Sequence, residues 1–198
     1  MCRFFCGSCQ KAHGQVMIMR LKDIHPHDPD AALLRKLNNE AFPDEERIDA
    51  DELFRIAAGG RMDILGIYPD ERFAGFFAVR TFGNVAYIAF FAVCPEERSK
   101  GVGGAALGAL KEHYKGRQII VDFESVYEEN ENPSQRLRRR EFYLRNGFHE
   151  TGRFMFYCGT EFEIFCSESA YDRAGFEALI RDIHEQAPEF DPKIYRRE

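Results

Sequence analysis

Phe90-Phe91-Ala92-Val93-Cys94-Pro95-Glu96-Glu97-Arg98-Ser99-Lys100-Gly101-Val102-Gly103-Gly104-Ala105-Ala106-Leu107 joins the end of an apolar run to the start of a helical one. The run from Val85 to Val93 reads as a buried central strand, covered on both faces. Arg98-x-x-Gly101-x-Gly103-Gly104 opens a helix of about 102–114 that turns Ala106, Leu107, Leu110 and Tyr114 inward. The first N–H groups of a helix have no intrahelical acceptor and carry partial positive charge. Glycines let an anion approach them without a Cβ in the way, so strand, loop and helix form a phosphate cradle. A dinucleotide fingerprint is excluded, because no third glycine follows Gly101 and Gly103 at its spacing. A P-loop is excluded too, because Lys100 precedes the first glycine. The competing reading is a glycine turn that serves packing alone.

Outward from this loop the pattern alternates. Downstream come a buried strand at Ile119–Phe123, a helix of about 133–146 between Asn132-Pro133 and Asn146-Gly147, and strands at about 151–158 and 161–167 that turn at Gly159. A last amphipathic helix, 172–185, starts at Asp172 and buries Phe176, Leu179, Ile180 and Ile183. Upstream, strands at 62–68, 72–81 and 85–93 form an antiparallel meander. Two helices precede them. One starts at Asp28-Pro29, with Leu33, Leu34, Leu37 and Ala41 on one face, and the other covers 49–58 before Gly59-Gly60. A strand at Val16–Leu21 comes first. The expected order is β-α-α-β-β-β-α-β-α-β-β-α, without repeats.

At 198 residues, 44% hydrophobic and 30% charged, the chain suits one globular domain, expected over 16–198 with residues 1–15 as an appendage. No apolar run is long enough for a membrane helix, and no secretory leader is evident. A reducing cytosol is the simpler setting for six cysteines without a framework. A net charge of −6 argues against nucleic acid and suits a cationic partner.

The quoted stretch resembles motif A of the GNAT superfamily of acyl-CoA-dependent N-acetyltransferases, whose signature is Arg/Gln-x-x-Gly-x-Gly/Ala. Phe142-Tyr143-Leu144-Arg145-Asn146-Gly147-Phe148 is similar to a second family segment at the expected distance. The resemblance implies an α+β, three-layer fold: a mixed, mostly antiparallel sheet, splayed between its fourth and fifth strands and flanked by helices, here with an extra C-terminal helix. It implies acetyl-CoA as co-substrate, with main-chain groups of Phe91 and Val93 on the pantetheine arm. Arg98, Ser99, Lys100, Gly101, Val102, Gly103 and Gly104 would surround the pyrophosphate. A homodimer is compatible with it.

The implied reaction is attack of a neutral amine on a thioester, followed by protonation of the thiolate. By the motif match Tyr143 is the general acid; its alternative is a packing tyrosine. Family members often carry Glu three residues before the position of Phe90, where this chain has Tyr87. Glu124 is therefore expected as base, with Asp122 as its rival, and either could simply pair with an arginine. Arg136, Arg139 and Arg140 share a helical face with Tyr143. They would hold a coenzyme phosphate or substrate carboxylate, or else pair with Glu128, Glu129 or Glu131.

Cys2, Cys6, Cys9 and His13 have a zinc-like spacing but no recognisable finger, so no metal is expected. Cys94, beside the thioester channel, could carry an acyl group; a small buried thiol is the default. In the fold the resemblance implies, the acidic link 40–46 borders the acceptor cleft and would suit a cationic or zwitterionic amine, unless it is only an acidic solvent loop. The expected function is transfer of an acetyl group from acetyl-CoA to a primary amine by direct attack. Its rival is a coenzyme-binding sensor that has lost the usual Glu.

Overall fold

The structure, a computed structural model, describes residues 18–44, 47–127 and 132–197. The N-terminal cysteine cluster and the glutamates at 45, 46, 128, 129 and 131 lie outside them. Strands β1 (Met19–Asp23), β2 (Met62–Pro69), β3 (Gly75–Phe82), β4 (Val85–Val93), β5 (Gln118–Glu124), β6 (His149–Tyr157), β7 (Thr160–Cys166) and β8 (Lys193–Tyr195) form one sheet of order β1-β2-β3-β4-β5-β7-β6-β8. Helices α1 (Ala31–Ala41), α2 (Ala50–Ala58), α3 (Val102–His113), α4 (Pro133–Arg145) and α5 (Arg173–Gln186) cover its faces. The fold is α+β with a mixed, mostly antiparallel sheet, as expected.

Only β4 and β5 run parallel, because α3 returns the chain between them. Their ladder runs from Val85↔Gln118 to Ile88↔Val121 and then stops, so the sheet opens toward the strand ends. β4 keeps its other edge on β3, but with a bulge: Val79 pairs with Ile88 and Ala78 with Phe90, leaving Ala89 as the extra residue. The bulge resets the alternation. Ala86, Ile88, Phe91 and Val93 enter the core under α3 and α4, whereas Val85, Tyr87, Phe90 and Ala92 pack on the opposite face with α1, α2 and α5.

Several boundaries differ from expectation. α1 begins at Ala31, not at Pro29. The Asp28 carboxylate instead accepts from the His25 N–H, closing a turn, and Asp30 accepts the Tyr68 hydroxyl at 2.7 Å. Leu33 is 48% exposed; Ala31, Leu34 and Leu37 make the buried stripe. β3 starts at Gly75 because the preceding turn extends until the Ala74 N–H reaches the Ile67 carbonyl. Cys158 adopts a φ of 48° and belongs to the Gly159 turn rather than to β6. β8, too short for a periodic signal, adds an edge strand on β6. The cap at Asp172 matches expectation, accepting from the Gly175 N–H, and Asp49 caps α2 by accepting from the Asp51 N–H.

Candidate active site

The loop after β4 is shaped by its own residues. A 3-10 turn, Pro95–Glu97, leads to Ser99 at φ 63° and Gly101 at φ 84°, two left-handed residues two apart. Left-handed turns of this kind gather main-chain N–H groups into a concavity suited to anions. Arg98 Nε donates to the Val93 carbonyl at 3.1 Å, and Lys100 folds onto buried Glu97, which also pairs with Arg72 at 3.0 Å. Gly101 caps α3 without a side-chain bond, and the Ala105 N–H is the first to reach an acceptor, Gly101 O at 3.1 Å. Thus Val102, Gly103 and Gly104 precede the first helical bond, as an anion cradle requires. Gly104 has a further role. A Cβ there would come within 2.7 Å of the Asn146 side chain, which packs α4 against α3.

Phe91 and Val93 lie on β4 beyond the end of the β4–β5 ladder, at the opening, with their β3-side pairing intact. Tyr143 is fully buried on α4, its ring parallel to Phe123 of β5 at 5.2 Å and edge-on to Phe148 at 5.4 Å. Tyr143 and Phe123 share the core beneath α3 and α4 with Phe91.

The two expected base candidates part company. Glu124 accepts from Arg139 Nη1 at 2.7 Å and pairs with Arg136 Nη2 at 3.4 Å. Arg140 joins Glu163 at 3.1 Å, also pairs with Glu150, and lies over the Phe165 ring. The α4 arginines therefore hold carboxylates of β5, β6 and β7, and Arg139 is almost wholly buried. Asp122, two residues before Glu124 and on the same side of β5 by alternation, meets a hydroxyl instead of an arginine. The Tyr87 hydroxyl donates to its Oδ1 at 2.5 Å, and among the described residues Asp122 has no ion pair. Tyr87, at the position where the family resemblance implied Glu, is thus tied to a carboxylate of the neighbouring strand.

Tyr87 and Asp122 line a cavity of about 820 Å³ on the α1, α2 and α5 side. Its walls include Ile56, Met62, Phe90, Met155, Phe162 and Phe190. α5 and the segment after it complete the cavity through Ile183, Gln186 and Phe190. A half-buried ion pair fastens this wall: buried Arg80 of β3 meets Asp182 at 3.0 Å and Gln186 at 3.1 Å. Burial lowers the Arg80 pKa, and Asp182 opposes the shift. Sequence reading missed this wall, although Arg80 interrupting the apolar Phe76–Val79 run signals a buried charge needing a partner. Burial pushes the Tyr157 phenol up to about 12, with a hydrogen bond to Cys158 adding to it. Burial pushes the Cys94 thiol up to about 11, and Glu96 and Glu97 add to the shift. Arg47 lines the cavity and pairs with Asp44 at 2.7 Å, so the described part of the acidic link is partly neutralised.

Among the described residues no cluster of His, Cys, Asp and Glu could hold a metal ion, and no helix is long and apolar enough to cross a membrane.

The sequence matches no curated protein. Among solved structures, a protein described as a GNAT-family acetyltransferase from Bacteroides thetaiotaomicron aligns with a TM-score of 0.70 and 23% identity, over 86% of this chain and 98% of its own. A GNAT acetyltransferase from Elizabethkingia anophelis with acetyl-CoA bound aligns at 0.51 and 11%, over 76% and 97%. PaiA N-acetyltransferase from Thermoplasma acidophilum, in complex with coenzyme A, aligns at 0.54 and 15%, over 75% and 98%. These likenesses concern the fold. The model of the acetyltransferase (GNAT) family matches residues 31–148, well over half the chain, and the chain belongs to that family.

Proposed function

We propose that the protein transfers the acetyl group of acetyl-CoA to a primary amine by direct attack, in the cytosol, with residues 16–198 acting as one catalytic unit. The observation that carries this reading is the end of the β4–β5 ladder at Ile88 and Val121, beside a helix start whose glycine cap has φ 84°. An extended thioester fits an opening between strands, and its pyrophosphate fits the N–H groups from Ser99 to Gly104. The N–H groups supply positive potential, and Gly101 leaves space, since nothing lies within 4 Å of a Cβ built there. Solved relatives that hold acetyl-CoA or coenzyme A support this choice of co-substrate.

Within the reaction, Tyr143 gives its proton to the departing sulfur. Main-chain groups of Phe91 and Val93 orient the pantetheine arm; the Val93 carbonyl also accepts from Arg98. Glu124, expected as base, has both oxygens engaged by α4 arginines. We assign it to holding α4, and with it Tyr143, against β5.

The alternative, a coenzyme-binding sensor, rested on Tyr87 in place of Glu. Asp122 beside Tyr87 supplies a carboxylate at the opening and supports the enzyme instead. Thiol release from acetyl-CoA, measured across a panel of primary amines, tests the proposal. Acetyl-CoA binding without turnover on any amine would favour the sensor.

A further inference from the structure

Asp122 is the first residue of β5 beyond the parallel ladder, so it stands where the two strands part. It is 1% exposed yet lines the cavity, and its single described hydrogen bond comes from the neutral Tyr87 hydroxyl. A buried carboxylate is expected to have a cationic or multiply hydrogen-bonding partner. The cations around the cavity do not fill that place. Arg80 is bound to Asp182, Arg47 to Asp44, and Arg55 to Glu52 across the α2 surface. The remaining charged groups facing the cavity, Arg61, Glu185 and Glu189, are exposed, and Tyr157 on β6 is kept neutral by burial. Around the carboxylate the walls are apolar and aromatic, from Met62, Phe90, Met155 and Phe162 to Phe190.

We propose that Asp122 receives the ammonium of an acceptor with a bulky apolar or aromatic body seated in this cavity, and is the general base for its acetylation. The inference rests on the acetyltransferase reading above. Asp122 takes one proton from the ammonium, and the nitrogen lone pair attacks the thioester carbonyl carbon. The C–N bond forms, the C–S bond breaks, and the thiolate takes a proton from Tyr143. The second proton lost from nitrogen restores the Tyr143 hydroxyl, and Asp122 releases its own to solvent. Asp122 and Phe123 are adjacent on β5 and point to opposite faces. Base and acid therefore flank the opening from opposite sides.

The test uses the full chain with phenylalkyl amines, ethylamine, a linear polyamine and an amino acid as acceptors. The phenylalkyl amines should exceed ethylamine and the polyamine in kcat/KM by about tenfold or more, since each buried methylene discriminates on that scale. Asp122→Asn should lower kcat by ~10²-fold and abolish the acidic limb of the pH–rate profile, with coenzyme affinity by calorimetry and the melting temperature retained. Tyr87→Phe removes a donor to the carboxylate, which favours its protonated form, so the acidic limb should move to higher pH. A folded Asp122→Asn protein with parental rate and profile, or a Tyr87→Phe profile that does not move, overturns the base while the acetyltransferase reading stands. A preference for the polyamine or the amino acid overturns the apolar acceptor. A parent that binds acetyl-CoA and acetylates no amine sinks the functional reading, and this inference with it.

Discussion

The ring of Tyr143 lies parallel to the ring of Phe123, with 5.2 Å between centroids and 8° between planes. The pair fixes the phenol against β5, and Phe142 and Phe148 close around it edge-on. Tyr143→Phe keeps the ring and its stacking and removes only the hydroxyl. Turnover should fall by ~10²-fold with coenzyme binding nearly preserved. Normal turnover in steady-state assays of that variant would return Tyr143 to a packing role.

The cradle predicts a separation between binding and stability at Gly101. A Cβ there meets no protein atom within 4 Å, so Gly101→Ala carries only the strain of a left-handed residue, about 1–2 kcal/mol. The same Cβ would project toward the phosphates. Calorimetry should show a loss of coenzyme affinity of about tenfold or more, while urea unfolding registers only the modest backbone penalty. Unchanged affinity would place the pyrophosphate elsewhere.

Arg139 ties α4 to Glu124 from a side chain 1% exposed. Arg139→Met leaves that carboxylate with Arg136 as its neighbouring cation. Removing one partner of a buried pair costs up to about 3–5 kcal/mol, so denaturant unfolding should show a clear loss. Preference for coenzyme A over dephospho-coenzyme A should not change, because the guanidinium is engaged within the protein. A vanished preference with intact stability would assign the arginine to the 3′-phosphate.

Cys94 carries a thiol pushed up to about 11, so only about one molecule in a thousand holds a thiolate at pH 8. An acyl-cysteine intermediate has little to start from. Cys94→Ala should keep turnover within about twofold, since the thiol acts only as a small buried apolar group, and mass spectrometry after a pulse of acetyl-CoA should find no acetylated protein. A stable adduct at Cys94 would reopen the covalent route.

The strand–loop–helix unit after β4 was legible because its determinants are local. A strand, an arginine, three glycines and a helix start act through residues within a few positions of one another; the left-handed φ of Gly101 came only with the structure. The buried stripes of α3 and α5 followed from helical periodicity for the same reason, and the Asp172 cap from its own first turn. Leu33 shows the limit: among three leucines near one face, packing against the sheet decided which pointed away. The polar groups gathered at the opening belong to the tertiary structure. The bulge at Ala89 exists only through pairing with β3, and it puts Tyr87 and Phe90, three residues apart, on the same face. The meeting of Tyr87 with Asp122 depends on the register of two strands separated by a helix. The cavity wall depends on Arg80 finding Asp182 across 102 positions. Local spacing carries information about turns and faces; which carboxylate meets a hydroxyl and which meets an arginine is set by pairing between distant strands, and only the folded sheet decided it.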